Sequence, residues 1–98
     1  MSMWYVLEGR TAVPLPDDMI GWAKDGRPTW ARVAADEVGD VRVSTVFLGL
    51  DHALDGGPPH IFETMVFGGT LDGEQERYST WEQAEAGHAR WVKRVTDA

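Results

Sequence analysis

Apolar positions along this chain follow two different periods. As far as Phe67 they alternate with polar residues or gather in short runs, and from Trp81 onward they recur every three or four residues. A period of two puts neighbouring side chains on opposite faces of a strand, whereas a period near 3.6 aligns them along one side of a helix. The run from Met3 to Leu7 is rich in β-formers, Glu8-Gly9-Arg10 offers a turn, and Thr11 to Val13 comes back. An N-terminal hairpin is expected there, broken by Pro14 and Pro16. Pro16-Asp17-Asp18 reads as a helix start with carboxylates at the positive end of the macrodipole. It predicts a short helix from about Asp17 to Lys24, stopped by Asp25-Gly26. Trp30 to Ala35 alternates loosely before Glu37 to Asp40 turns the chain.

The run from Val41 to Leu50 has the strongest β character. Val41, Val43, Thr45 and Phe47 share one face, and Arg42, Ser44, Val46 and Leu48 the other. Residues Ile61 to Phe67 sort in the same way, with Ile61, Glu63, Met65 and Phe67 against Phe62, Thr64 and Val66. Both faces of both runs are partly apolar. One helix covers only one face of a small sheet, so the second face calls for the N-terminal segments or another subunit, and a homo-oligomer is expected.

Ser79-Thr80-Trp81-Glu82-Gln83 supplies a capping box, with either hydroxyl as N-cap, and starts a helix that runs to about Val95. Trp81, Ala84, His88, Trp91, Val92 and Val95 form one stripe able to face the sheet. Gly87 in mid-helix costs about 1 kcal/mol relative to alanine, which implies a close approach to the helix at that point. The fold class is therefore α+β. A small antiparallel sheet is packed by a long C-terminal helix, with a short helix after the N-terminal hairpin, all in a single domain spanning residues 1–98.

Composition narrows the function more than the fold. The chain has 98 residues, 43% apolar and 26% charged, which suits one globular domain without a separate cofactor-binding lobe, and no cofactor is expected. It has no cysteine, which removes disulfides, thiolate metal sites and a cysteine nucleophile, and fits a reducing cytoplasm. No signal-peptide pattern is seen, and no apolar run approaches the roughly 20 residues that span a bilayer, so a soluble cytoplasmic protein away from membranes is expected. A net charge of −7 works against direct binding of nucleic-acid backbones. The same acidity, carried by Asp17, Asp18, Asp36, Glu37, Asp40, Asp72, Glu74 and Glu76, suits either a solvated surface or mimicry of DNA toward a basic partner. Five tryptophans are many for one small core and suit either a subunit interface or pocket or a tryptophan-rich core.

Candidate chemistry is sparse. Glu63 stands among apolar neighbours on its strand, which points a carboxylate inward, and His88 on the helix stripe is its expected partner. That pair reads as a structural contact or as part of a site. Asp51-His52 closes the first long strand, and Asp55-Gly56-Gly57-Pro58-Pro59-His60 completes a loop held between two strands, a frequent position for binding residues. Asp51, His52, His60, Glu63 and His88 have the donor atoms for a divalent metal, but their spacing matches no compact ligand pattern and no metal site is assigned. Asp51 also suits a turn-fixing role through backbone amides. Arg77 and Tyr78, just before the helix, are candidate anion contacts, with Arg32 and Arg42 on strands. No nucleophile elbow, phosphate loop or dinucleotide fingerprint is present, and no catalytic residue is assigned.

The words VSTVFLGLDH, GPP, FETMVFGG and RYSTWEQAEAGH resemble a family of small phage and prophage proteins, over Val43 to about Trp91. The resemblance implies a phage-encoded accessory protein in a bacterial cytoplasm and supplies no catalytic residues. Where the family carries an aromatic or aliphatic residue between its prolines and the phenylalanine of FET, this chain has His60-Ile61, which argues against His60 as an essential ligand. The favoured expectation is a binding protein of a counter-defence type that occupies a host protein or sequesters a small signalling molecule, through Asp51, His52, Glu63, His88, Arg77 and Tyr78. The alternatives are a small metal-dependent hydrolase or nucleotide-modifying enzyme with Glu63 as general base, and a virion assembly protein.

Overall fold

Two tight turns fix the strand registers. Gly9 (φ 63°) and Gly39 (φ 59°) each open a two-residue loop, and the residues that follow them, Arg10 and Asp40, keep negative φ. That combination is a type II′ turn, whose twist matches the strands it joins. The computed structural model describes residues 4–15, 27–51 and 56–98. Within them β1 (Tyr5–Glu8) pairs with β2 (Thr11–Pro14) as a hairpin. A four-stranded antiparallel sheet follows in chain order: β3 (Trp30–Val38), β4 (Val41–Leu48), β5 (Phe62–Phe67) and β6 (Gln75–Tyr78). The helix α1 (Trp81–Asp97) packs on one face of that sheet. The architecture is α+β, with antiparallel sheets packed by a C-terminal helix. The helix expected over Asp17 to Lys24 lies outside the described residues.

The hairpin and the larger sheet meet end to end. Trp4 bridges to Leu50, and the Tyr5 amide donates to the Gly49 carbonyl at 2.6 Å. The Gly49 amide donates to the Thr29 carbonyl at 2.7 Å, so backbone crowds this residue from two sides. Any side chain there would run into the carbonyl oxygens of Tyr5 and Thr29. Glycine at 49 is what allows three chain segments to join at one point.

Two expectations are corrected. The turn placed at Glu37 to Asp40 is shorter, because Glu37 pairs with Arg42 and Val38 with Val41, which carries β3 to Val38 and leaves only Gly39-Asp40 in the loop. On β5 the inward face is Phe62, Thr64 and Val66, all fully buried, and Glu63 points the other way. The helix starts as expected, with Thr80 as N-cap accepting from the Gln83 amide and Gln83 reaching back to the Thr80 amide, and it runs two residues past Val95.

The layer between helix and sheet has an apolar, polar, apolar sequence. Leu7, Phe47, Ile61, Phe62, Tyr78 and Ala84 form one cluster, in which the Phe47 and Phe62 rings lie 5.2 Å apart. Val43, Val66, Trp91 and Val95 form another. Thr45, Thr64 and His88, buried on the same strands and helix, lie between the two in register. Among the described residues no helix is long and apolar enough to cross a membrane.

Candidate functional site

The polar band beneath the helix is one continuous chain of hydrogen bonds. Strand alternation and the β4–β5 register place Thr45 directly opposite Thr64, and their hydroxyls are 2.6 Å apart. On the helix, His88 sits one turn from Ala84 and Trp91, so its ring enters the same layer, with Nδ1 2.6 Å from the Thr45 hydroxyl. Its Nε2 is 2.7 Å from Asp36 Oδ2 at the edge of β3. A carboxylate only accepts, so Nε2 carries the proton, and in the neutral ring Nδ1 accepts from Thr45. In the other direction the Tyr78 hydroxyl is 3.0 Å from Thr64 and 3.2 Å from Glu76 Oε1. The same Glu76 oxygen accepts from the Trp91 indole at 2.9 Å and has Arg90 at 3.5 Å.

Asp36, His88 and Thr45 thus have the connectivity of an acid, base and hydroxyl nucleophile array. Burial removes that use. Thr45 is fully buried and its oxygen is already engaged by Thr64, so no substrate carbonyl can come within bonding distance. The side chain of Asp36 is 57% exposed and that of His88 only 7%, so the chain of groups reaches solvent through its carboxylate end.

The expected Glu63–His88 pair does not form, because the two residues lie on opposite faces of the sheet. Glu63 instead accepts from Arg77 Nε at 3.0 Å, its direct cross-strand neighbour on β6. The carboxylate needed a cation, and the strand register supplies one on the open face. Arg77 and Tyr78, adjacent on β6, also point to opposite faces, and Tyr78 is buried against the helix. They do not converge on one anion. Asp51 accepts from the His60 amide at 2.9 Å, which closes the base of the long loop. His52 lies outside the described residues. Among the described residues no group of three or more histidine or acidic side chains is placed to hold a metal ion. Sequence reading missed Asp36, Thr45, Thr64 and Glu76. The signal available for the threonines was the mirrored spacing of Val43-Thr45-Phe47 and Phe62-Thr64-Val66.

Compared with protein-family models, curated proteins and solved structures, the chain matches none. Its chemistry is read from its own surfaces. The face of the sheet away from the helix is uncovered among the described residues. Trp30 and Phe67, at opposite ends of it, are 53% and 46% exposed, with Leu48, Val46 and Met65 half-buried between them. Three of the nine basic residues, Arg32, Arg42 and Arg77, share this face with only two carboxylates, Glu37 and Glu63, in a chain of net charge −7. Arg77 is paired, but neither Arg32 nor Arg42 makes an ion pair among the described residues. Together with Ala35, Asp36 and Glu37 they line a concavity of about 390 Å³.

Two tyrosines give the fold a pH signature. Burial pushes the Tyr78 phenol above its usual value, Glu76 adds to the rise, and Thr64 and Arg90 oppose it by smaller amounts. Burial, aided by Asp51, does the same for Tyr5. A folded-state value above the unfolded one, near 10, means that the contribution is complete at lower pH and is lost as pH rises past it. Thermal melts from neutral pH upward should show stability falling above about pH 10, and Tyr78→Phe should flatten that fall.

Proposed function

We propose that this chain is a non-enzymatic binding protein whose contact surface is the open face of the four-stranded sheet, and that its partner is a protein presenting acidic side chains beside apolar ones. The observation that carries this reading is the asymmetry of the sheet. One face is closed by the helix over a buried line of hydrogen-bonding groups. The other exposes two large aromatic rings and two unpaired arginines. Exposed aromatic and arginine side chains are the residues that anchor protein interfaces. The acidity of the rest of the molecule repels an extended phosphate backbone, which favours a protein acid over nucleic acid as the anion. Four strands spaced about 4.8 Å apart and about 20 Å long present roughly 400 Å² in projection. That is about half of what each partner contributes to a standard stable complex, so the contact is of the transient kind. A small molecule is the weaker reading: the concavity of about 390 Å³ is lined mostly by charged side chains, whereas ligand sites are mostly apolar, and the apolar hollow beside Val41, Leu71 and Val95, about 240 Å³, falls below their usual roughly 300–1,000 Å³.

We further propose that this binder acts in a bacterial cytoplasm as an accessory or counter-defence factor that occupies a host protein, a reading supported by the resemblance to phage and prophage proteins. The test compares the wild-type chain with Arg32→Glu/Arg42→Glu and with a helix-surface control, Glu85→Lys. The expected result is that, after cross-linking in lysate, wild type and control capture one acidic host protein and that the double variant does not. Retention by all three, binding of a single-stranded oligonucleotide lost only in the double variant, or a dimer seen by light scattering that the double variant dissolves would each overturn it.

A further inference from the structure

The buried chain from Asp36 to Glu76 has one more bond to fill than the neutral molecule has protons. Six groups stand in line, Asp36, His88, Thr45, Thr64, Tyr78 and Glu76, with five short separations between them. Both ends are carboxylates, which only accept. Neutral His88, the two threonines and Tyr78 bring one proton each, so one separation has none. The distances show which. The three on the His88 side are 2.7, 2.6 and 2.6 Å, and the two at Tyr78, where one hydroxyl proton faces both Thr64 and Glu76, are 3.0 and 3.2 Å. In this order Tyr78 donates to Thr64, Thr64 to Thr45 and Thr45 to Nδ1.

We propose that the chain is a two-state hydrogen-bond relay, in which uptake of one proton by His88 Nδ1 reverses the donor order and turns the Tyr78 hydroxyl hydrogen toward Glu76. Nδ1 then donates to Thr45, Thr45 to Thr64, Thr64 to Tyr78 and Tyr78 to Glu76, and all five separations are filled. The proton comes from solvent, each hydroxyl keeps one hydrogen and no other bond is made or broken. Glu76 Oε1 already accepts from the Trp91 indole, so a new donor on that oxygen weakens the indole bond. The charge of His88 is thereby reported through the sheet to Trp91, one turn along the helix. The charged and titratable groups around the relay are Asp36 from β3, Glu76 and Tyr78 from β6, and Arg90 on the helix. β4 and β5 contribute only threonines. Glu85, one turn before His88, faces solvent toward Arg10.

The relay does not depend on what the open face binds. It is tested on the full-length, ¹⁵N-labelled chain by NMR titration across the histidine range, following the His88 ring nitrogens and the Trp91 indole N–H together. The expected result has the proton on Nε2 at the neutral end and the Trp91 resonance moving with the same midpoint as His88. Tyr78→Phe, which keeps the ring but removes the relay's last hydroxyl, should leave His88 titrating and abolish the Trp91 response. Thr45→Ser, which keeps a hydroxyl in the chain, should retain it. A Trp91 resonance that ignores His88 in the wild type overturns the proposal. So does one that still follows His88 in Tyr78→Phe, because the nearby charge would then act through space.

Discussion

Gly87→Ala is expected to destabilise the protein by about 2 kcal/mol, although the same change in an open helix would stabilise it by about 1 kcal/mol. The sign reverses because of Tyr78. Gly87 is buried in mid-helix, and a methyl group built on it would fall within the Tyr78 ring, against its hydroxyl, Cζ and Cε1 atoms. That ring is not a free end that can swing aside, since its hydroxyl is held by Thr64 and Glu76 and its body is packed against Phe62 and Ala84. To admit the methyl group, either the helix lifts from β6 or the ring leaves its hydrogen bonds. Overpacking typically costs about 1–3 kcal/mol and occasionally more, and against a ring pinned at both ends it is expected at the upper end, enough to outweigh the propensity gain. For a domain of this size the loss corresponds to a fall in Tm of roughly 10 °C. The exposed neighbour Ala86 provides the control, because Ala86→Gly should cost only the propensity difference of about 1 kcal/mol. A thermal melt in which Gly87→Ala matches or exceeds the wild type would mean that the helix does not rest on Tyr78.

The close approach at Gly87 was legible in the sequence because a helix-destabilising residue sat within an otherwise good helical pattern. The faces of β4 were legible too, since its inner positions Val43, Thr45 and Phe47 alternate cleanly with outer ones. β5 misled for a physical reason. Its outer positions, Met65 and Phe67 with Ile61 before them, are as apolar as its inner ones, and a period of two cannot say which face is covered when both are half apolar. Ile61 added to the confusion, being buried at the strand's end rather than along its outer face. Once β5 was turned the wrong way, Glu63 appeared to point toward His88. β6 was hidden for a different reason. Its sequence Gln75-Glu76-Arg77-Tyr78 contains a single ring, and its inward Glu76 is stabilised by Trp91 and Tyr78 rather than by apolar burial. Asp36 was out of reach of any local pattern, because its partner His88 is 52 residues away and only the register of β3 brings them together. Long-range polar pairing leaves no periodicity to read.

Thr45→Val should be the most damaging conservative change in the molecule, with a loss of about 3 kcal/mol although shape and volume are kept. Thr45 is fully buried and is the only link between His88 and Thr64 in the chain. Its removal strips His88 Nδ1 of its partner and leaves Thr64 with Tyr78 alone, inside a layer flanked by apolar clusters where water does not substitute. Each buried group left unpaired costs about 1–3 kcal/mol. Adding Thr64→Val to this variant should cost much less than Thr64→Val does alone, because the second change removes a group already half orphaned and returns Tyr78 to Glu76. The pair is therefore expected to be strongly non-additive in denaturant melts, as residues of one network are. Additive losses would mean that the two threonines are satisfied separately, and the continuous chain from Asp36 to Glu76 would have to be abandoned. His88→Gln separates the two halves of the argument further. Its amide can still meet Thr45 but cannot take up a proton near neutral pH, so it should restore part of the packing and none of the response at Trp91.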